Sequence, residues 1–162
     1  MSRKLNTLLL IITVAVVAVT FVVTATGKVS ANAATPRAMP SPDKSLFSEY
    51  RGVKIGMTAT DVRAKLGKAK EQTDAQDQFI FNDNESALVY YDGTHAVNAI
   101  MITFQGDVKN APSAKDVFGE DVAPNGEGMV FKMEKYPKAG YWISYTRTSG
   151  SDQMVNIALQ KM

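Results

Sequence analysis

The sequence predicts an α+β domain: two degenerate copies of a short helix plus a three-stranded antiparallel meander, following an N-terminal apolar helix. Three observations predict it. Two stretches, 58–67 and 113–119, each open on Ser/Thr-x-x-Asp and close on glycine, the marks of a helix start and stop. Each is followed by three runs in which apolar and polar residues alternate, the period of a half-buried strand. Ahead of the first copy lies a long apolar run and then a stretch rich in Ala, Pro, Ser and Thr.

Arg3 and Lys4 precede the apolar run, which extends from residue 8 to 23 and is interrupted only by Thr13 and Thr20. A helix over 5–25 is roughly 30 Å long at 1.5 Å per residue, the hydrocarbon thickness of a bilayer. Two readings follow for residues 1–25. One is a signal peptide, cleaved at Ala31-Asn32-Ala33 or at the closer Val23-Thr24-Ala25. The other is a signal anchor that stays in the membrane. The run is longer than an ordinary signal-peptide core, and Ala33 lies well beyond Val23, which favours the anchor. Positive charge before the run places the N-terminus inside and the domain outside the cytoplasm. The protein is thus expected in the cell envelope, membrane-attached through 5–25, or secreted to the periplasm if cleaved. Residues 26–45, with Pro36, Pro40 and Pro42, read as a flexible linker. The folded domain is expected over 46–162, with repeats at about 46–106 and 111–162.

Within the first copy, Thr58 and Asp61 form the capping signal, Val62 and Leu66 a narrow buried stripe, and Gly67 the stop. Strands are expected at 78–81, 87–91 and 96–104. Asp92-Gly93 supplies the hairpin signal between the second and third. In the third, Ile100, Ile102 and Phe104 mark the core face, with Asn98 near its end. The second copy opens on Ser113 and Asp116, stops at Gly119, and continues as strands at 129–135, 141–147 and 154–160. Met129, Phe131 and Met133 form the apolar side of the first of these, opposite Val130, Lys132 and Glu134. Apolar-in, polar-out alternation throughout means a sheet covered on one face only.

Composition excludes several kinds of chemistry. There is no cysteine, hence no disulfide, thiolate metal site or thiol nucleophile. The single histidine, His95, rules out sites built on a histidine pair. Three of the 18 Lys/Arg precede Ala34, leaving 15 against 16 Asp/Glu, so no basic footprint for nucleic acid exists. Asp74, Asp77, Asp83, Glu85 and Asp92 form a sparse acidic series without calcium-loop spacing and read as solvated loop charge. His95 follows a turn and reads as a solvated turn residue. No catalytic residue, cofactor site or metal site is expected, and the chain is read as a non-enzyme.

The stretch Val53-Lys54-Ile55-Gly56-Met57-Thr58, with Asp61-Val62 and Leu66-Gly67, resembles the opening of the BamE/SmpA-like envelope proteins, a hydrophobic-G-M-[ST]-x2-[DE]-V-x3-L-G pattern. That group shares its fold with the β-lactamase inhibitory protein, which holds two such units in tandem. The resemblance implies helices packed on an antiparallel meander, and envelope or outer-membrane proteins as partners. The assembly lipoproteins of the group carry a lipobox cysteine, which this chain lacks. No binding residue is carried over, because the matched motif is structural.

Aromatic residues supply the candidate protein-binding surface. Tyr90 and Tyr91 are adjacent, so one of them points away from the core. Trp142 alternates with Tyr141, Ile143 and Tyr145 and belongs on the outer face. Exposed aromatics on a sheet are enriched at interfaces; the alternative is that segment 46–53 or the other half covers Trp142. The expected function is an envelope-located protein-binding or scaffold module without catalysis. The alternatives are a small-ligand or cell-wall-sensing domain, or an enzyme with an unrecognised carboxylate site.

Overall fold

A computed structural model describes residues 45–162. The apolar helix expected over 5–25, both cleavage sites and nearly all of the expected linker lie outside the described residues. Ser45, placed at the end of that linker, is buried: its Oγ donates to the Phe47 carbonyl at 2.7 Å and lies 3.3 Å from the Tyr141 hydroxyl. No helix among the described residues is long and apolar enough to cross a membrane.

The domain is α+β, with α1 (Ala59–Leu66) and α2 (Ala114–Phe118) on one face of an antiparallel sheet. Its strands are β1 (Glu71–Gln72), β2 (Gln76–Asn82), β3 (Glu85–Tyr91), β4 (Val97–Gln105), β5 (Val130–Tyr136), β6 (Tyr141–Arg147) and β7 (Met154–Lys161). The order across the sheet is β1-β2-β3-β4-β7-β6-β5, so β4 and β7, each the last strand of its meander, pair at the centre.

Both helices start and stop where their caps predict. The Thr58 hydroxyl accepts from the Asp61 amide at 3.2 Å, and Gly67, at φ +82°, donates to the Arg63 carbonyl. At Ser113 the reciprocal box is complete: its Oγ accepts from the Asp116 amide, and the Asp116 carboxylate accepts from the Ser113 amide at 2.7 Å. Asp61 makes only half of that box, its carboxylate taking the Thr58 hydroxyl at 2.8 Å instead of the backbone. A helix of five or eight residues does not hold itself in water. Val62, Ala59, Val117 and Phe118 bury it against the sheet.

The core is one cluster on that face, from Phe79, Val89, Ile100 and Ile102 across Ile157 and Leu159 to Ile143 and Tyr145. Two facings differ from the sequence reading. Val97 turns into the core and Asn98 does not: the register passes from Tyr90↔Ala99 to Tyr91↔Val97, leaving Asn98 as the extra residue of a β-bulge. The cause lies in the segment leading into α1, which pairs with Val97 through Gly56 and Met57. β5 is the other. Phe131 and Met133 face away from the core, and Lys132 and Glu134 lie on the helix side. β5 is an edge strand near the short α2, so its helix side is partly wet. There Lys132 Nζ sits 4.7 Å from the Phe118 ring centre and pairs with Glu120 and Glu134.

The hairpin at Asp92 forms, but Gly93 is not its left-handed residue. His95 takes that conformation, at φ +58°, while the Asp92 carboxylate accepts from the amides of Thr94 and Ala96.

Candidate functional site

The face of the sheet away from the helices can be built strand by strand from the registers. One row across it reads Gln76, Tyr90, Ala99, Gln160, Trp142 and Lys135. The next reads Gln78, Leu88, Met101, Ala158, Ser144 and Met133, with Glu71 beyond Gln78 on β1. The third reads Ile80, Ser86, Thr103, Asn156, Thr146 and Phe131. Charge is confined to the two ends, Lys135 and Glu71. The interior is amides, hydroxyls, methionines and aromatic rings.

At its centre the small side chains Ala99 and Ala158 sit on the paired β4 and β7, flanked by Tyr90 on β3 and Trp142 on β6. The two rings stand three strand spacings apart, roughly 14 Å. The result is a hollow of about 460 Å³ whose lining includes Tyr90, Asn98, Ala99, Met101, Trp142, Ala158 and Gln160. Asn98 Oδ1 is buried there without a hydrogen-bond partner among the described residues. The lining contains neither a histidine nor a carboxylate.

Of the three aromatics singled out in the sequence, Tyr90 and Trp142 thus come to one hollow. Tyr91 also lines the hollow, but from the core side of β3. It is 6% exposed on the core side, and its hydroxyl donates to Asp77 at 2.8 Å. Segment 46–53 leaves Trp142 uncovered: it runs on the opposite face, where Ser45 meets Tyr141 and Tyr50 meets Phe81. Met101 was legible as an outward residue from β4's alternation. Asn98 was not, because the bulge that redirects it depends on a contact with residues 56–57.

Two ionic clusters brace the sheet from the core side. Asp77, read from the sequence as solvated loop charge, is fully buried. Arg63 on α1 holds it with two bonds, Nε to Oδ2 at 2.8 Å and Nη2 to Oδ1 at 3.0 Å. The bond to Asp77 raises the Arg63 pKa further. Burial, and then its bond to Asp77, pushes the Tyr91 hydroxyl well above the ordinary tyrosine range. Glu85, from the same acidic series, accepts from Tyr50 at 2.6 Å and from Arg51 Nη2 at 2.9 Å. Burial opposes its charge, yet these bonds hold its pKa below the usual value. At the hairpin, the Thr94 hydroxyl and then the loop amides lower Asp92 to about 2. His95 is exposed on that turn, and no group of three or more metal-ligating side chains occurs among the described residues.

No family model matches the chain, and no curated protein matches it. Among solved structures, the chain is similar to the crystal structure of a DUF4309 family protein, YjgB, from Bacillus subtilis. The TM-score is 0.48 at 11% identity, over 72% of this chain and 90% of that one.

Proposed function

We propose that the chain is an envelope-located protein-binding or scaffold module without catalysis, of the BamE/SmpA-like type. It offers the open face of its sheet to an envelope or outer-membrane protein. The apolar segment 5–25 carries it to the membrane and holds it there, or releases it to the periplasm once cleaved. Residues 46–106 and 111–162 are degenerate tandem copies. In support, each runs a short helix then an antiparallel meander, of four strands counting the two-residue β1 in the first copy and three in the second, and the last strands of the two copies pair.

The observation that carries the reading is the open face itself. An aromatic pair flanks a hollow on a surface uncharged except at its ends, with exposed Ile80 and Phe131 farther out. Interfaces concentrate their energy in aromatic anchors at such central, charge-depleted patches. Crosslinking in intact cells, followed by identification of what is captured, tests it. Trp142→Ala or Tyr90→Ala should lower capture of the principal partner roughly 30-fold, the effect of losing about 2 kcal/mol at an anchor. Capture unchanged in both variants would overturn the proposed surface.

One observation favours a second reading, a small-ligand or cell-wall-sensing domain. The hollow sits on the β4–β7 seam between the copies, its volume falls within the range of about 300–1,000 Å³ typical of ligand pockets, and Asn98 brings a buried acceptor to it.

A further inference from the structure

We propose that the hollow between Tyr90 and Trp142 binds a neutral glycan, a chain of pyranose sugars that rests separate units on the two aromatic rings. This rests on the small-ligand reading of the open face and gives that ligand a chemistry.

The floor and walls set the shape of the occupant. Ala99 and Ala158 keep the floor low, and Tyr90 and Trp142 flank it roughly 14 Å apart. One sugar ring does not reach both; an oligomer does. The C–H face of a pyranose is drawn to the negative face of an aromatic ring, while its hydroxyls stay at the rim. The four strands beneath the hollow, β3, β4, β7 and β6, are each paired on both sides. Their backbone groups are already spent, so a peptide cannot add there as a strand. Recognition falls to the two rings and to the side-chain amides of Asn98 and Gln160.

Asn98 sets the polarity of the occupant. The bulge between Tyr90↔Ala99 and Tyr91↔Val97 brings it to the hollow, where its Oδ1 is buried and has no hydrogen-bond partner among the described residues. A buried acceptor is costly until a donor reaches it. A sugar hydroxyl supplies that donor; a hydrocarbon chain would cover the oxygen and supply none. Charge narrows the choice further. Among the described residues, the lining holds neither a cation nor an anion. Lys161 and Asp92, next in sequence to Gln160 and Tyr91, lie 3.5 Å apart and offset each other. Lys135 lies one strand beyond Trp142. A ligand bearing phosphate or carboxylate finds no counter-charge in the hollow, and a neutral glycan needs none. Apolar walls with a few placed polar groups are the ordinary make-up of a ligand site.

Trp142 is the single tryptophan, so its emission reports on the hollow directly. In the full-length chain in detergent, a neutral hexasaccharide of N-acetylglucosamine or of glucose should shift that emission saturably. The matching monosaccharide, which engages one ring only, should bind at least ten-fold more weakly. Tyr90→Ala and Asn98→Ala should each weaken the hexasaccharide at least ten-fold, and Ile80→Lys, outside the hollow, should leave it unchanged. Preference for the amino sugar points to a chain of the cell-wall kind and preference for glucose to a plain glucan; either supports the proposal. A neutral proline-rich peptide and an acidic galacturonate hexasaccharide complete the probes. Saturable binding of either one without the neutral sugars keeps a ligand in the hollow and overturns the neutral glycan. No response to any probe overturns the glycan together with the small-ligand reading beneath it. A hexasaccharide that binds no better than its monomer, or is indifferent to both Tyr90→Ala and Asn98→Ala, overturns the site as drawn.

Discussion

Burying a lone carboxylate as completely as Asp77 is buried would cost several kcal/mol. Arg63 and Tyr91 offset that cost with three hydrogen bonds, and the three residues tie α1 to β2 and β3 directly behind Tyr90. Asp77→Ala leaves Arg63 and the Tyr91 hydroxyl without their acceptor and should destabilise the fold by about 3 kcal/mol. Tyr91→Phe removes a single charge-assisted bond, about 1.5 kcal/mol. Urea unfolding should rank them in that order, and a midpoint for Asp77→Ala equal to the parent's would show that the cluster contributes nothing. Asp92 makes a prediction in pH. Its carboxyl is lowered from 3.8 to about 2, so the folded state binds that proton less tightly than the unfolded chain does. Its contribution is complete above about pH 4 and is lost as pH falls through 2. Carboxyl titration by NMR should place Asp92 near 2, and Asp92→Asn should flatten the loss of stability in that window. None of this was legible from the acidic series alone. Asp77 and Asp92 look alike as isolated aspartates, and only the register of β2 against β3 and the path of the 92–96 loop separate them.

The elements were legible where the signal was local. Alternation located six strands to within two residues, and in the strands paired on both sides the facing follows from burial, apart from the start of β4. β1 gave no signal: Glu71 and Gln72 are both polar and both exposed, and they become a strand only by pairing with β2. β5 was located but its facing was reversed. Periodicity sorts Phe131 and Met133 from Lys132 and Glu134, yet at an edge with partial cover the apolar set need not turn inward. The capping residues were legible because a hydroxyl, a carboxylate and a glycine act within one turn. The two caps nevertheless differ in completeness. Ser113→Ala breaks a reciprocal box on a five-residue helix and should cost about 1–2 kcal/mol. Thr58→Ala should fall toward the lower end of the range for cap loss, about 0.5–1 kcal/mol. Thermal melts of the two variants would show the order, and a larger loss at Thr58 would mean that the Asp61 contact to the hydroxyl matters more than a backbone cap.

At the scale of the molecule, the sequence carried the two faces of the sheet but not which residues meet on the open one. Tyr90 and Trp142 are far apart in the chain, and they flank one hollow only because β4 and β7 pair and set β3 and β6 three strand spacings apart. That arrangement allows the protein and small-ligand readings to be separated. Ala158 lies on the floor of the hollow on the side away from the core, so Ala158→Trp fills the space without overpacking the interior. Ile80 is 48% exposed on the same face but outside the hollow, and Ile80→Lys adds charge there without touching the lining. A protein partner spans the wider face, which at a standard interface means about 800 Å² on each side. Both substitutions should then lower its capture ten-fold or more, with melting temperatures within a few degrees of the parent. A ligand confined to the hollow is lost with Ala158→Trp and indifferent to Ile80→Lys. Loss in both variants supports the protein-binding module, loss in Ala158→Trp alone supports the ligand-sensing domain, and loss in neither removes the open face from the function altogether.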